Sequence, residues 1–220
     1  AQYAMRGNKQ ATMVAVLFPI IPVGASISAA IVALVILRKG YRDGAQVFMW
    51  SMLLPAIMWW VNGAPTPALT IVGVAVLASV LRYSASWAYV LVASLVIAIL
   101  SVPILTSYLQ VLLTDPVLAG VLTELLKLTE NSDKKLLQST VEGPFLAGYV
   151  VDLLACVTLA RWWQAALFNR GGFQTEFHQL RLPLWLTGTL FLAVFGLSNV
   201  TDTTQWLFVL SIPLLFAGLA

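Results

Sequence analysis

Apolar residues run through this chain in long blocks separated by short polar or glycine- and proline-bearing breaks. The blocks span 12–37, 45–61, 68–81, 86–113, 143–168, 183–197 and 204–220. Runs of this length are membrane-crossing helices rather than strands, since about 20 apolar residues cross a bilayer as a helix. A barrel would show short alternating segments instead. The pattern therefore predicts an all-α, polytopic helix bundle, with the shorter blocks shielded from lipid inside it.

Two blocks carry internal signals. Block 12–37 is interrupted at "FPIIPVG", where Pro19, Pro22 and Gly24 break helix continuity. It is expected to form two short helices or a re-entrant hairpin, against the alternative of one kinked crossing. Block 143–168 contains "GYVVDLLACV", whose acid Asp152 lies roughly 14 Å into the helix. Intramembrane acids face the bundle interior and have a partner or a proton. Arg161 is two and a half turns away on the opposite face, and no other basic residue is expected at that depth. Asp152 is therefore expected to be protonated, or hydrogen-bonded to hydroxyls and water, rather than salt-bridged. Tyr149 and Cys156 share its face.

Composition agrees with the pattern. Hydrophobic residues make up 60% of the chain and charged residues 10%, where soluble domains carry about 25% charged. The formal charge of +3, without a clustered basic surface, points to basic loops and away from nucleic acid. Cys156 is the lone cysteine and His178 the lone histidine, so no intrachain disulfide and no multi-histidine metal site is expected. No cleavable signal peptide is evident, and the break inside the last apolar block leads us to expect the natural protein to continue past residue 220.

Charge placement orients the bundle. With "RKGYRDG" (38–44) cytoplasmic, Arg6, Lys9, Arg38, Lys39, Arg42, Arg82, Arg161, Arg170 and Arg181 lie inside, while Lys127, Lys134 and Lys135 lie outside. The N-terminus and loop 169–182 are then cytoplasmic. Segment 114–142 is outside. Asp115 and Pro116 open an amphipathic helix there, a connector or a lid, and "STVE" (139–142) reads as a capping box that starts the next crossing. Trp59 and Trp60 on the outer side, with Tyr83, Trp87 and Tyr89 on the inner, read as interfacial belts, and Trp162, Trp163 and Phe168 as a further aromatic anchor.

The candidate functional groups fall into two sets. Asn62, Tyr108, Gln110, Tyr149 and Asp152 are the polar groups that could line an outward-facing small-molecule pocket. Ala25, Ala29 and Ala33 form a small-residue stripe that either packs internally or meets another membrane subunit. Glu176, His178 and Arg181, in the inner loop "NRGGFQTEFHQLRLP", either hold that loop by charge pairs or dock a partner. No nucleotide-binding glycine loop, metal-ligand cluster or nucleophile–base set is evident, so neither an enzyme nor a cofactor is expected.

The strings "MRGNKQATMVA", "RKGYRDGA" and above all "GGFQTEFHQLRLP" resemble the YybS-like bacterial inner-membrane proteins, a family of uncharacterised function, over nearly the whole chain. That family is similar in its first six helices to the substrate-binding S components of energy-coupling-factor vitamin transporters. The resemblance implies an S-component-like domain over 1–182 with short first helices, and docking of a coupling subunit through Ala25, Ala29 and Ala33. The helices of 183–220 depart from the six-helix pattern. Two functions follow as expectations: a small-molecule-binding or transport-associated subunit, or an accessory subunit of a membrane complex with no substrate of its own.

Overall fold

A computed structural model describes residues 12–13, 15–16, 24–114, 134–168, 172–178, 183–197 and 204–218. The described elements are α1 (Gly24–Lys39), α2 (Tyr41–Asn62), α3 (Thr66–Ser84), α4 (Trp87–Leu113), α5 (Lys134–Phe168), α6 (Gly172–His178), α7 (Leu184–Leu197) and α8 (Thr204–Gly218). Residues 12–13 and 15–16 are helical too, and no strand occurs among the described residues. The fold is an all-α bundle.

Helix α1 is its axis. Every residue from Ser28 to Leu37 is buried, and the helix packs against α2, α3 and α5. A helix that is apolar all round has no solvent or headgroup face to offer, so it goes inside. Its 16 residues span only about 24 Å, which is permitted because its neighbours, not α1, meet the lipid. The chain folds back before it: Ser28 donates to the Ala15 carbonyl at 2.5 Å. A continuous helix would hold those residues about 20 Å apart along its axis. The segments on either side of "FPIIPVG" are therefore packed side by side, and a single kinked crossing is excluded; residues 17–23 themselves lie outside the described residues.

The turn into α2 is shorter than the expected loop. Helix α1 runs on to Lys39 and α2 begins at Tyr41, leaving Gly40 alone between them with φ 95°, a left-handed backbone that favours glycine. The Gly40 amide donates to Ile36 O (3.1 Å). Arg82 from α3 donates its Nη1 to Ile36 O (3.0 Å) and Leu37 O (2.6 Å). A cation thus satisfies the last carbonyls of α1 at the negative end of its dipole.

Four helical segments are long and apolar enough to cross a bilayer: Tyr41–Asn62, Thr66–Ser84, Trp87–Leu113 and Val141–Leu167. Leu186–Gly196 and Trp206–Gly218 are shorter apolar helices. Large apolar side chains stand exposed on their outer faces, among them Leu53, Ile57, Leu100, Phe191 and Leu192. Such a surface suits lipid and would be an aggregation hazard in water. The chain is a multi-pass integral membrane protein. Helix α8 packs on α5 and α4, and Val209 and Ile212 share the core with α1, so the C-terminal helices belong to the same bundle.

Three local expectations need correction. "STVE" does not start a helix, because α5 is already helical from Lys134; the Lys, Leu and Gln of "KKLLQ" are good helix formers that carry the helix across it. The inner loop contains a helix, α6, where a loop was expected. Trp87 is not part of a belt: it is 5% exposed and packs against Phe173 (ring centroids 6.5 Å) and Phe216 (6.1 Å). Trp60, Tyr83 and Tyr89 are exposed, as a belt requires. The amphipathic segment expected after Asp115 lies, up to residue 133, outside the described residues.

Candidate functional site

Two adjoining residues of α3 meet two of α5 at the centre of the bundle. Asp152 Oδ2 accepts a hydrogen bond from Thr70 Oγ1 at 3.2 Å. One turn earlier Tyr149 donates to Leu69 O at 3.2 Å. With its proton there, the Tyr149 oxygen is left to accept from Ser101 of α4, whose Oγ lies 3.4 Å away. Cys156 Sγ sits 3.3 Å from the Ser26 carbonyl of α1 and 3.7 Å from Asp152 Oδ1; its single S–H serves the two between them. Tyr149, Thr70, Ser101 and Cys156 are buried and Asp152 is half-buried. The cluster ties α1, α3, α4 and α5 together. Interhelical hydrogen bonds of this kind average about 0.6 kcal/mol in membrane bundles.

Among the described residues no Lys or Arg is ion-paired to Asp152. Its partners are a hydroxyl and a thiol, in line with the sequence expectation. Thr70, Ser101, Ser26 and Leu69 were not anticipated. Hydroxyls are frequent in apolar helices and two of these four partners are backbone carbonyls, so no sequence signal marks them.

The other pocket candidates do not join this cluster. Asn62 is exposed at the end of α2, Gln110 is exposed and Tyr108 half-buried near the end of α4. None of them, and neither Tyr149 nor Asp152, lines the clefts described below. The alanine stripe also turns inward: Ala29 and Ala33 are 0% exposed and only Ala25 retains partial exposure. Small side chains here let α1 approach its own neighbours and leave no stripe for another subunit.

At the opposite, basic end, α6 is latched to α5. Arg161 Nε donates to Glu176 Oε2 at 2.9 Å, its Nη2 pairs with Oε1, and its Nη1 donates to Gln164 Oε1 at 2.7 Å. Glu176 is thus engaged within the chain. His178 ends α6, its side chain lying outside the described residues, as does Arg181. Arg161, placed away from Asp152 by helix geometry, has its partner here. The fork is bidentate, but the side chains are 22% and 41% exposed, so solvent screens the pair. A double-mutant cycle with Arg161→Gln and Glu176→Gln is expected to give a coupling of about 0.5–1 kcal/mol, falling with added salt. A coupling unchanged by salt would contradict this solvent-screened pairing.

Two apolar clefts are open at the surface of the bundle. The larger, about 620 Å³, lies between α2, α3 and the start of α4. Phe48, Val72, Val76 and Val80 form its wall, and Tyr41, Tyr83 and Tyr89 stand at its basic end. Its two serines are turned back on their own helix: Ser79 Oγ donates to Ala75 O (2.7 Å) and Ser84 Oγ to Val80 O (2.8 Å). The wall is therefore apolar and its polar groups sit at one rim. A second apolar cleft of about 400 Å³ lies between α5, α6 and α8. A third, of about 460 Å³, is polar and lies beside Arg82, Arg161 and Glu176. Among the described residues no group of three His, Cys, Asp or Glu side chains could hold a metal ion.

Comparison with family models, curated proteins and solved structures found no match for this chain.

Proposed function

We propose that this chain is a membrane-embedded binding subunit without catalytic chemistry of its own, taking an amphipathic small molecule from the bilayer into the cleft between α2, α3 and α4. The observation that carries the reading is the cleft's make-up: a volume within the range of ligand sites, an apolar wall continuous with lipid, and polar groups at one rim only. The charge asymmetry supports a cytoplasmic basic end, and the inner membrane of a bacterium is the setting the resemblance implies. A small-molecule role is also what the resemblance to S components implies, although the cleft replaces the Asp152 region as the place for the ligand.

The reading is tested with Val76→Trp. Val76 is partly exposed in the cleft wall, so an indole fills the cleft without entering the core. Native mass spectrometry of protein extracted in mild detergent is expected to show a small-molecule adduct on the wild type and its loss in the variant. Equal retention by both proteins would move the ligand elsewhere. An accessory role is the second reading. It is favoured by the interior, where α1 is enclosed and Asp152 and Tyr149 bond within the chain. It forecasts a stoichiometric protein partner and no adduct.

A further inference from the structure

We infer that the occupant of the α2–α3–α4 cleft is an anionic phospholipid, its acyl chain along α3 and its phosphate at the tyrosine rim. The inference rests on the cleft-binding reading above and adds the ligand class. Length is the first argument. On α3 the wall runs from Ser84 to Val72, about 18 Å of helix, close to the roughly 15 Å depth of one leaflet's hydrocarbon. A chain entering from the leaflet at the basic end is thus covered over its whole length.

The rim supplies the second argument. Tyr41 and Tyr83 lie with ring centroids 5.9 Å apart, and Tyr89 joins them at the cleft. All three rings are substantially exposed, which suits headgroup level, where amphipathic rings settle. Charge is the third. Arg38, Lys39 and Arg42 border this rim in sequence, and Arg82 precedes Tyr83. Against these four cations the same stretches, 38–43 and 82–89, carry one acid, Asp43. Arg82 bonds the backbone carbonyls of Ile36 and Leu37 and lines the neighbouring polar cleft, so the exposed Arg42, next to Tyr41, is the cation nearest the rim in sequence. An aliphatic slot ending in hydroxyls and an excess of cations complements a fatty chain ending in phosphate, and it prefers a headgroup with net negative charge over a zwitterion.

The full chain, delipidated in detergent, is exposed to equimolar dioleoyl phosphatidylglycerol and dioleoyl phosphatidylcholine, and bound lipid is counted by native mass spectrometry. Phosphatidylglycerol is expected to be retained at least fivefold over phosphatidylcholine. Arg42→Gln, on an exposed position, is expected to reduce that preference about fivefold, the effect of one basic residue near an anionic surface, while phosphatidylcholine binding stays unchanged. Equal retention of both lipids would overturn the anionic assignment and leave the cleft-binding reading standing. Retention of neither lipid, or a dimer forming in place of lipid retention, would overturn both.

Discussion

Gly44→Leu is expected to destabilise the bundle by about 3 kcal/mol, and Gly44→Ala by about 1 kcal/mol. Gly44 lies in the first turn of α2 against α1. A Cβ there would stand 2.5 Å from Ile36 Cγ1 and 3.3 Å from Ile36 Cα. The first contact could be relieved by rotating a side chain, but the second is backbone, and Ile36 is itself 5% exposed. The one-residue turn at Gly40, whose amide bonds Ile36 O of α1 (3.1 Å) and whose carbonyl accepts from the Gly44 amide of α2 (3.0 Å), holds the two helices at that separation, so they cannot drift apart cheaply. Alanine gains about 0.5–1 kcal/mol of helix preference over glycine, which offsets part of the 1–3 kcal/mol cost of overpacking. Leucine gains no more than alanine in helix preference and adds three carbons. Gly73→Ala is the control. Its Cβ would meet the side-chain ends of Leu153 (2.8 Å) and Ile97 (3.3 Å), which can turn aside, so a change within about 0.5 kcal/mol is expected. Unfolding by dodecyl sulfate titration, followed by tryptophan fluorescence, measures all three. Gly73→Ala losing more than Gly44→Ala would refute this account of the α1–α2 approach.

Asp152→Lys is expected to cost about 2–4 kcal/mol, and Asp152→Asn less than about 1 kcal/mol. A lysine near the centre of a crossing is disfavoured by about 2.5–3.5 kcal/mol. Here it would also be too long for a site closed by Thr70 and Cys156. It has donors only, whereas Thr70 needs an acceptor. Asparagine keeps an amide oxygen where Thr70 Oγ1 now donates at 3.2 Å. The same unfolding titration separates the two variants, and lysine tolerated as well as asparagine would mean that this face of α5 does not turn into the bundle. Because the lateral cleft is lined by other residues, Asp152→Asn is also expected to leave lipid retention unchanged. Loss of lipid in that variant would return Asp152 to the role of pocket anchor.

Helix positions were legible in the chain because the rules that set them are local. A run of about 20 apolar residues has to be a spanning helix, and the observed α2, α3 and α4 begin and end within a few residues of the blocks read from the pattern. The reversal between Ala15 and Ser28 followed from two prolines, a glycine and the distribution of Arg and Lys. The absence, among the described residues, of a basic partner for Asp152 followed from helix geometry, which puts Arg161 on another face. Local signals also failed where a neighbouring one overrode them, as "STVE" shows inside a helix that starts earlier.

Which side of each helix faces inward was not legible. In water a polar stripe marks the outside, but in a bilayer the lipid-facing and core-facing sides are both apolar, so hydrophobicity does not tell them apart. Only packing decided that Ala29 and Ala33 close on the chain's own helices, that Trp87 is buried while Tyr83 and Tyr89 are exposed, and that Thr70 and Ser101 serve Asp152 and Tyr149. The pairing of Arg161 with Glu176 and the slot between α2 and α4 belong to the same class. The sequence by itself determined a reversed, all-α membrane bundle with one central acid, through run lengths and charge asymmetry. The tertiary structure decided what that acid bonds and where a ligand can lie, because both depend on how apolar faces of equal hydrophobicity are matched in shape.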